Sequence, residues 1–172
     1  LDAIIFSDFS YGLFDKELSL AIIEIANKHG VFTAADSQTS SQIGDLSKFK
    51  GVDLITPTEK EARNELKDEN SGLIQIVEKL RRSILCKYVI LKLGSDGVLL
   101  HGLDSAGKLL KTDRLEALNE TPIDVSGAGD SILASSTLSL AVEKNIYKAG
   151  LIGSIAAAIQ VSRIGNIPID VE

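Results

Sequence analysis

The chain has 172 residues, 44% hydrophobic, 24% charged and only 5% aromatic, which is enough apolar material for one globular core and excludes a disordered segment. A single cysteine, Cys86, excludes a disulfide scaffold and fits a reducing cytoplasm. The formal net charge of −6 argues against nucleic acid or an anionic membrane as the main partner.

The opening run Leu1-Asp2-Ala3-Ile4-Ile5-Phe6 reads as a buried strand over residues 3–7, with neither a methionine nor a basic leader before it. The chain is therefore expected to begin inside a longer protein. Asp15 is placed to cap a helix running to about His29, with Leu18, Ile22, Ile23, Ile25 and Ala26 on one side and Gly30 ending it. A second strand is predicted at residues 31–35 and a third at 52–56, stopped by Pro57. Helical spacing follows at 59–67 and 73–84, then a fourth strand at 87–93. The turn Gly94-Ser95-Asp96-Gly97 leads into Val98-Leu99-Leu100 as a hairpin, and residues 108–112 add a further strand. Two uncharged helical stretches, 131–142 and 149–161, close the chain. Both fall short of the ~20 residues that span a bilayer, so they are expected to be buried core helices.

Strands that alternate with helices, each nearly continuous in apolar residues, predict an α/β fold with a mainly parallel sheet covered on both faces. Ligands in such folds bind outside the carboxyl ends of the strands. Asp124-Val125-Ser126-Gly127-Ala128-Gly129-Asp130, just before an uncharged helix, carries the densest signal. Small residues let the backbone approach a ligand, and the first amides of the helix can converge on an anion. With a terminal phosphate held there, Asp130 can accept the proton of an attacking hydroxyl. The plain alternative is a helix start with an acidic residue favoured by the macrodipole.

That heptapeptide resembles the C-terminal signature of the ribokinase-like sugar kinases, the PfkB family, roughly Asp-Thr-x-Gly-Ala-Gly-Asp. The resemblance implies that Asp130 is the catalytic base and that the backbone of Gly127, Ala128 and Gly129 forms an anion hole. Lys92-Leu93-Gly94-Ser95-Asp96-Gly97 looks like the family's nucleotide-binding turn, usually Thr-x-Gly-x-x-Gly, which places Gly94, Ser95, Asp96 and Gly97 beside a nucleotide. Lys92 stands where Thr is common, and taken alone the segment is a tight hairpin turn. Thr58-Glu59-Lys60-Glu61 is similar to the Asn-x-x-Glu element, which implies a nucleotide-side role for Thr58 and Mg2+ held by Glu61 through water. The same residues form a Thr-x-x-Glu capping box, and both readings are compatible.

Ser7-Asp8-Phe9-Ser10-Tyr11-Gly12 resembles the Ser-Asp-Tyr-x-Lys-Gly element of the bacterial heptose-phosphate kinases, the kinase half of bifunctional ADP-heptose synthesis proteins, with Tyr11 in place of Lys. The closing helix and its turn at Gly165 resemble theirs near the adenine. Asp8 and Asp36, the latter opening the tract Asp36-Ser37-Gln38-Thr39-Ser40-Ser41, are the substrate-side candidates. A capped turn and a solvated loop are their plain alternatives. His29 and His101 suggest no zinc site, Lys79-Leu80-Arg81-Arg82 reads as a solvent face, and Cys86 has no evident activating partner.

The resemblance therefore implies a ribokinase-like three-layer αβα fold with a mainly parallel, Rossmann-like sheet. Residues 1–172 are expected to be the C-terminal nucleotide-binding and catalytic part of a sugar kinase, without the N-terminal sugar-pocket and lid part and inactive by themselves. ATP is the implied co-substrate, Mg2+ the implied metal, and a sugar or sugar phosphate the acceptor, D-glycero-D-manno-heptose 7-phosphate foremost. A monovalent cation and a homodimer stay open. So do another sugar or nucleoside kinase and, given Tyr11 and Thr58, a kinase fold kept as a binding or oligomerisation module.

Overall fold

The computed structural model describes residues 1–38, 44–104, 106–107 and 110–169. In chain order they form β1 (Ala3–Asp8), α1 (Lys16–Lys28), β2 (Phe32–Ser37), a 3-10 turn (Leu46–Phe49), β3 (Leu54–Ile55), α2 (Glu59–Leu66) and α3 (Leu73–Ile84). Then come β4 (Tyr88–Lys92), β5 (Val98–Leu103), β6 (Leu110–Leu115), α4 (Ala128–Glu143) and α5 (Ile146–Val161).

The strands lie side by side in chain order, β1 to β4 parallel and β4 to β6 antiparallel. Parallel neighbours need a crossover, and right-handed crossovers made in one direction return over the same face. The segments joining β1 to β4 accordingly share one side, where Phe6, Ala35, Ile55, Val89 and Leu91 pack with Ile23, Phe49, Ile76 and Leu80. Strand residues one step out of phase, Ala34, Leu54, Ile90 and Leu100, pack on the other face against Ile132, Leu133, Leu140 and Ile146 of α4 and α5. This is the three-layer αβα arrangement that the alternation of elements predicts.

Helix starts follow local chemistry. Asp15 Oδ1 accepts the Leu18 amide at 2.7 Å, and Asn145 caps α5 through the amides of Tyr147 and Lys148. Thr58 and Glu61 form the complete capping box on α2. Gly127 starts α4 with a left-handed φ of 77° and no side-chain cap.

Three features depart from expectation. The 3-10 turn at Leu46–Phe49 has no sequence signal long enough to announce it, yet it buries Leu46 and Phe49. Helices α4 and α5 each begin three residues early, and they are buried on one side only. Leu138, Val142, Leu151, Ile152, Ile155 and Ile159 are exposed because, among the described residues, no element packs over this outer layer. No helix among the described residues is long and apolar enough to cross a membrane. The strand expected at 108–112 appears as β6, with residues 108 and 109 outside the described residues, as are Thr39, Ser40 and Ser41.

Candidate active site

The carboxyl ends of β2, β3 and β4 meet the start of α4. Asp130 lies in the first turn of α4, and its Oδ1 accepts Gln38 Nε2 at 3.3 Å from just beyond β2. The loop before it is held from outside. Asp124 Oδ1 accepts the Ser126 amide and Oδ2 the Gly165 amide, each at 2.9 Å. Gln160 Nε2 donates to the Ser126 and Gly165 carbonyls at 3.3 and 3.1 Å. A Cβ at Gly127 would lie 2.2 Å from Asn166 Oδ1, so both the left-handed backbone and the close approach require glycine there. The Ala128 amide donates to the Val125 carbonyl at 3.3 Å, but with no side chain capping α4 the positive end of its dipole suits an anion.

Beside this loop lies a buried ion pair. Lys92, the last residue of β4, donates from Nζ to Asp36 Oδ2 at 2.8 Å, with side-chain exposures of 12% and 0%. Burial pushes the Asp36 carboxyl above its ordinary value against the pull of Lys92, and the carboxylates of Glu61 and Asp130 push it further. Lys92 Nζ also lies 3.2 Å from the Cβ position at Gly129. The Lys92 amide donates to the Pro57 carbonyl at 2.8 Å and its backbone bridges to Thr58, which sets the α2 cap against the end of β4.

Glu61 completes its half of the cap, Oε2 accepting the Thr58 amide at 2.7 Å while Thr58 Oγ1 accepts the Glu61 amide at 3.2 Å. Among the described residues no three His, Cys, Asp or Glu side chains are grouped to hold a metal ion. Mg2+ commonly binds through one or two carboxylates together with substrate phosphates and water, so this donor set fits a metal that arrives with a nucleotide.

A cleft of about 610 Å³ runs from Lys92 and Gly129 past Gly94, Ser95, Asp96 and Gly97 to Ser154 and Ala157 of α5. The turn at 94–97 closes the β4–β5 hairpin and also walls the cleft, so its two sequence readings coincide. Gly97, with φ 84°, would place a Cβ 2.0 Å from the Leu115 carbonyl oxygen. Gly165 reaches the site through its amide on Asp124.

Asp8 is 2% exposed and heavily engaged: Oδ1 accepts the Ser10 amide at 2.9 Å, and Oδ2 accepts Ser37 Oγ at 3.3 Å and Lys48 Nζ at 2.5 Å. Tyr11 stands exposed on the loop that Asp8 holds. Cys86 is buried, and burial pushes its thiol up to about 12. In the basic cluster, Lys79 pairs with Asp68 and both arginines with Glu78, while Leu80 is buried. Sequence reasoning missed the Lys92–Asp36 pair and the supports from Gln38, Asp124 and Gln160. Asp124 had a signal as the first residue of the motif and Gln38 as part of the polar tract that follows β2, whereas Gln160 had none beyond being polar.

The pfkB family carbohydrate kinase pattern matches residues 4–171, and the chain belongs to that family. It is 30% identical over 174 residues to the Bifunctional protein HldE of Sulfurimonas denitrificans, covering 99% of this chain and 34% of that protein. The corresponding protein of Campylobacter jejuni is 33% identical over 170 residues, covering 97% and 34%. The chain thus spans about a third of the length of these curated relatives. Its fold is similar to that of Arabidopsis thaliana ribokinase complexed with ribose and ATP, with a TM-score of 0.76, 19% identity and coverage of 95% of this chain and 51% of that one. Escherichia coli phosphofructokinase-2 in complex with potassium gives 0.77, 22%, 95% and 52%.

Proposed function

We propose that this member of the pfkB carbohydrate kinase family is the nucleotide-binding and catalytic part of an ATP-dependent sugar kinase. The observation that carries the reading is Asp130 in the first turn of a helix that starts on Gly127 without a side-chain cap, while Ala128 and Gly129 of the same turn line a cleft walled by the 94–97 turn. Asp130 takes the proton of the acceptor hydroxyl as its oxygen attacks the γ-phosphorus of ATP; the bond to the β,γ-bridging oxygen breaks and ADP leaves. The amides of Gly127, Ala128 and Gly129 hold the charge that builds on the γ-oxygens. Mg2+, when bound, neutralises phosphate charge, and Glu61 is the residue that would hold it through water. Thr58, Gly94, Ser95, Asp96, Gly97 and Gly165 serve the nucleotide side.

Asp8 serves the acceptor side by fixing, with Lys48, the loop that carries Tyr11. The Ser7 to Gly12 element and the likeness to the HldE proteins support D-glycero-D-manno-heptose 7-phosphate as acceptor. ATP as phosphoryl donor and the lone buried cysteine support a cytoplasmic location. The test is turnover of the complete gene product with Mg-ATP and a panel of sugars, sugar phosphates and nucleosides. Heptose 7-phosphate is expected to react fastest. A faster sugar or nucleoside changes the acceptor alone, whereas Mg-ATP binding with no turnover on any acceptor overturns the enzyme in favour of a binding module.

A further inference from the structure

Lys92 occupies the position where related turns usually carry threonine, and its ammonium lies where a hydroxyl on a short side chain could not reach. Its Nζ sits against Gly129 of the anion loop, at the end of the cleft, anchored by Asp36 from the adjoining part of the sheet. We propose that Lys92 is a catalytic residue that donates hydrogen bonds to the γ-phosphoryl group during transfer, and that Asp36 is its positioning residue; this rests on the kinase reading above.

Three observations carry the inference. The pair does not close on itself. A purely structural buried ion pair satisfies its remaining lone pairs, because leaving them bare is costly. Here Asp36 Oδ1 and the Thr56 Oγ1 beside it are buried with no hydrogen-bond partner, both at the carboxyl edge where ligands bind. Asp36 also takes only one of the three N–H donors of the ammonium. Finally, among the described residues the side-chain charge beside Lys92 is acidic, and Arg163, the cation on the far side of the anion loop, is bound to Gln160 Oε1 and to the Ile167 and Pro168 carbonyls. Asp36, Glu61 and Asp130 are electrostatically coupled, and the other cation lining the cleft among the described residues, Arg114, is bound to Asp96. A polyphosphate entering this corner meets Lys92 as its side-chain counter-charge. In the transfer step the acceptor oxygen bonds phosphorus, the bridging bond breaks with its electrons to ADP, and the acceptor proton goes to Asp130. Lys92 stays protonated throughout.

The test compares Mg-ADP with the non-transferable analogue Mg-AMP-PNP by calorimetry on the complete gene product, alongside kcat and KM. Lys92→Met is expected to lower kcat about 100-fold. It should weaken AMP-PNP about 10-fold while ADP affinity changes little, because only the analogue presents a γ-phosphate. Asp36→Asn is expected to lower kcat and the AMP-PNP preference with KM for the acceptor nearly unchanged, and Lys92→Arg to retain most of that preference. Removing Lys92 alone strands a buried carboxylate, so the charge-free Asp36→Asn/Lys92→Met variant is measured as well. It is expected to recover melting temperature while still lacking the AMP-PNP preference. A double variant that keeps wild-type preference and kcat, or that loses ADP and AMP-PNP equally, overturns the proposal while leaving the kinase reading intact. A wild-type protein that binds no adenine nucleotide overturns both.

Discussion

Asp130 owes its position to a local cause and a distant one. Locally, Gly127 turns the chain into α4 so that a residue three places on projects from the first turn. At a distance, Gln38 fixes one carboxylate oxygen from across the sheet. A positioned base is worth about 10²- to 10⁴-fold in rate, so Asp130→Asn in the complete gene product should lower kcat by about 1,000-fold and leave Mg-ATP binding nearly unchanged. Steady-state kinetics with calorimetry checks it; wild-type turnover in the variant would show that another group takes the proton. The place of Asp130 in the first turn of a helix was legible in the sequence because glycines, helix start and acid all fall within seven consecutive residues. Asp8 was legible as an acidic residue after a strand and as a member of the Ser7 to Gly12 element, not as an anchor. Its bonds to Ser37 and Lys48, which make it an anchor of the loop, join residues far apart in the chain.

At the scale of elements, the helices announced themselves through their ends as much as their periodicity. Asp15 and the Thr58–Glu61 box stand where their caps form, whereas the 3-10 turn at Leu46–Phe49 was too short for any periodic signal. The end of α3 is less well matched to its sequence. Leu85 closes it in the left-handed region, φ 59° and ψ 34°, and its side chain is 62% exposed. Left-handed backbone costs a non-glycine residue about 1 kcal/mol, and an exposed leucine recovers little of that by packing. Leu85→Gly is expected to stabilise the chain by about 0.5 kcal/mol, the extra freedom of glycine in the unfolded chain offsetting part of the gain. Urea unfolding reads the result, and a loss of stability would mean that Leu85 packs more than its exposure indicates.

For the whole molecule, the two faces of the sheet are unequal. One is sealed by α1 to α3, while the helices on the other face keep an apolar outer surface that composition alone led one to place in the core. The alternation of elements was legible as a layered α/β fold; how much of each layer is covered was not, since coverage depends on what lies beyond it. Stability also depends on pH, through His101 of β5, bonded to Thr112 of β6 and Glu78 of α3 at 2.7 and 2.8 Å. Burial alone would raise the Glu78 carboxyl, but His101, Arg82 and Arg81 together hold it down at about 2, below its ordinary 4.5. Burial lowers His101 below its ordinary 6.5, against the pull of Glu78. Both folded-state values are depressed, so each contribution is present above the unfolded value and is lost as pH falls. Stability should therefore decline from about pH 6.5 downward and continue to fall from about 4.5 toward 2. Glu78→Gln is expected to flatten the lower part of that profile in urea titrations taken at successive pH values; an unaltered slope there would remove Glu78 from the account.

What the sequence by itself determined is whatever is encoded within a few residues or one period: the strands and helices, the layered class, the Gly97 turn, the capping box and the Asp130 motif. Only the tertiary structure decided which side chains support them. Asp36 and Lys92 are 56 positions apart, Asp124 and Gly165 41, and Gln38 and Asp130 92. The first and last pairs meet because β2, β3 and β4 lie side by side with their carboxyl ends together and α4 starts over that edge, and Asp124 meets Gly165 because α4 and α5 pack against each other, bringing the start of one beside the end of the other. Periodicity and capping set how each segment folds, but the order in which strands become neighbours comes from burying both faces of one sheet at once, and that order places the lysine on its carboxylate.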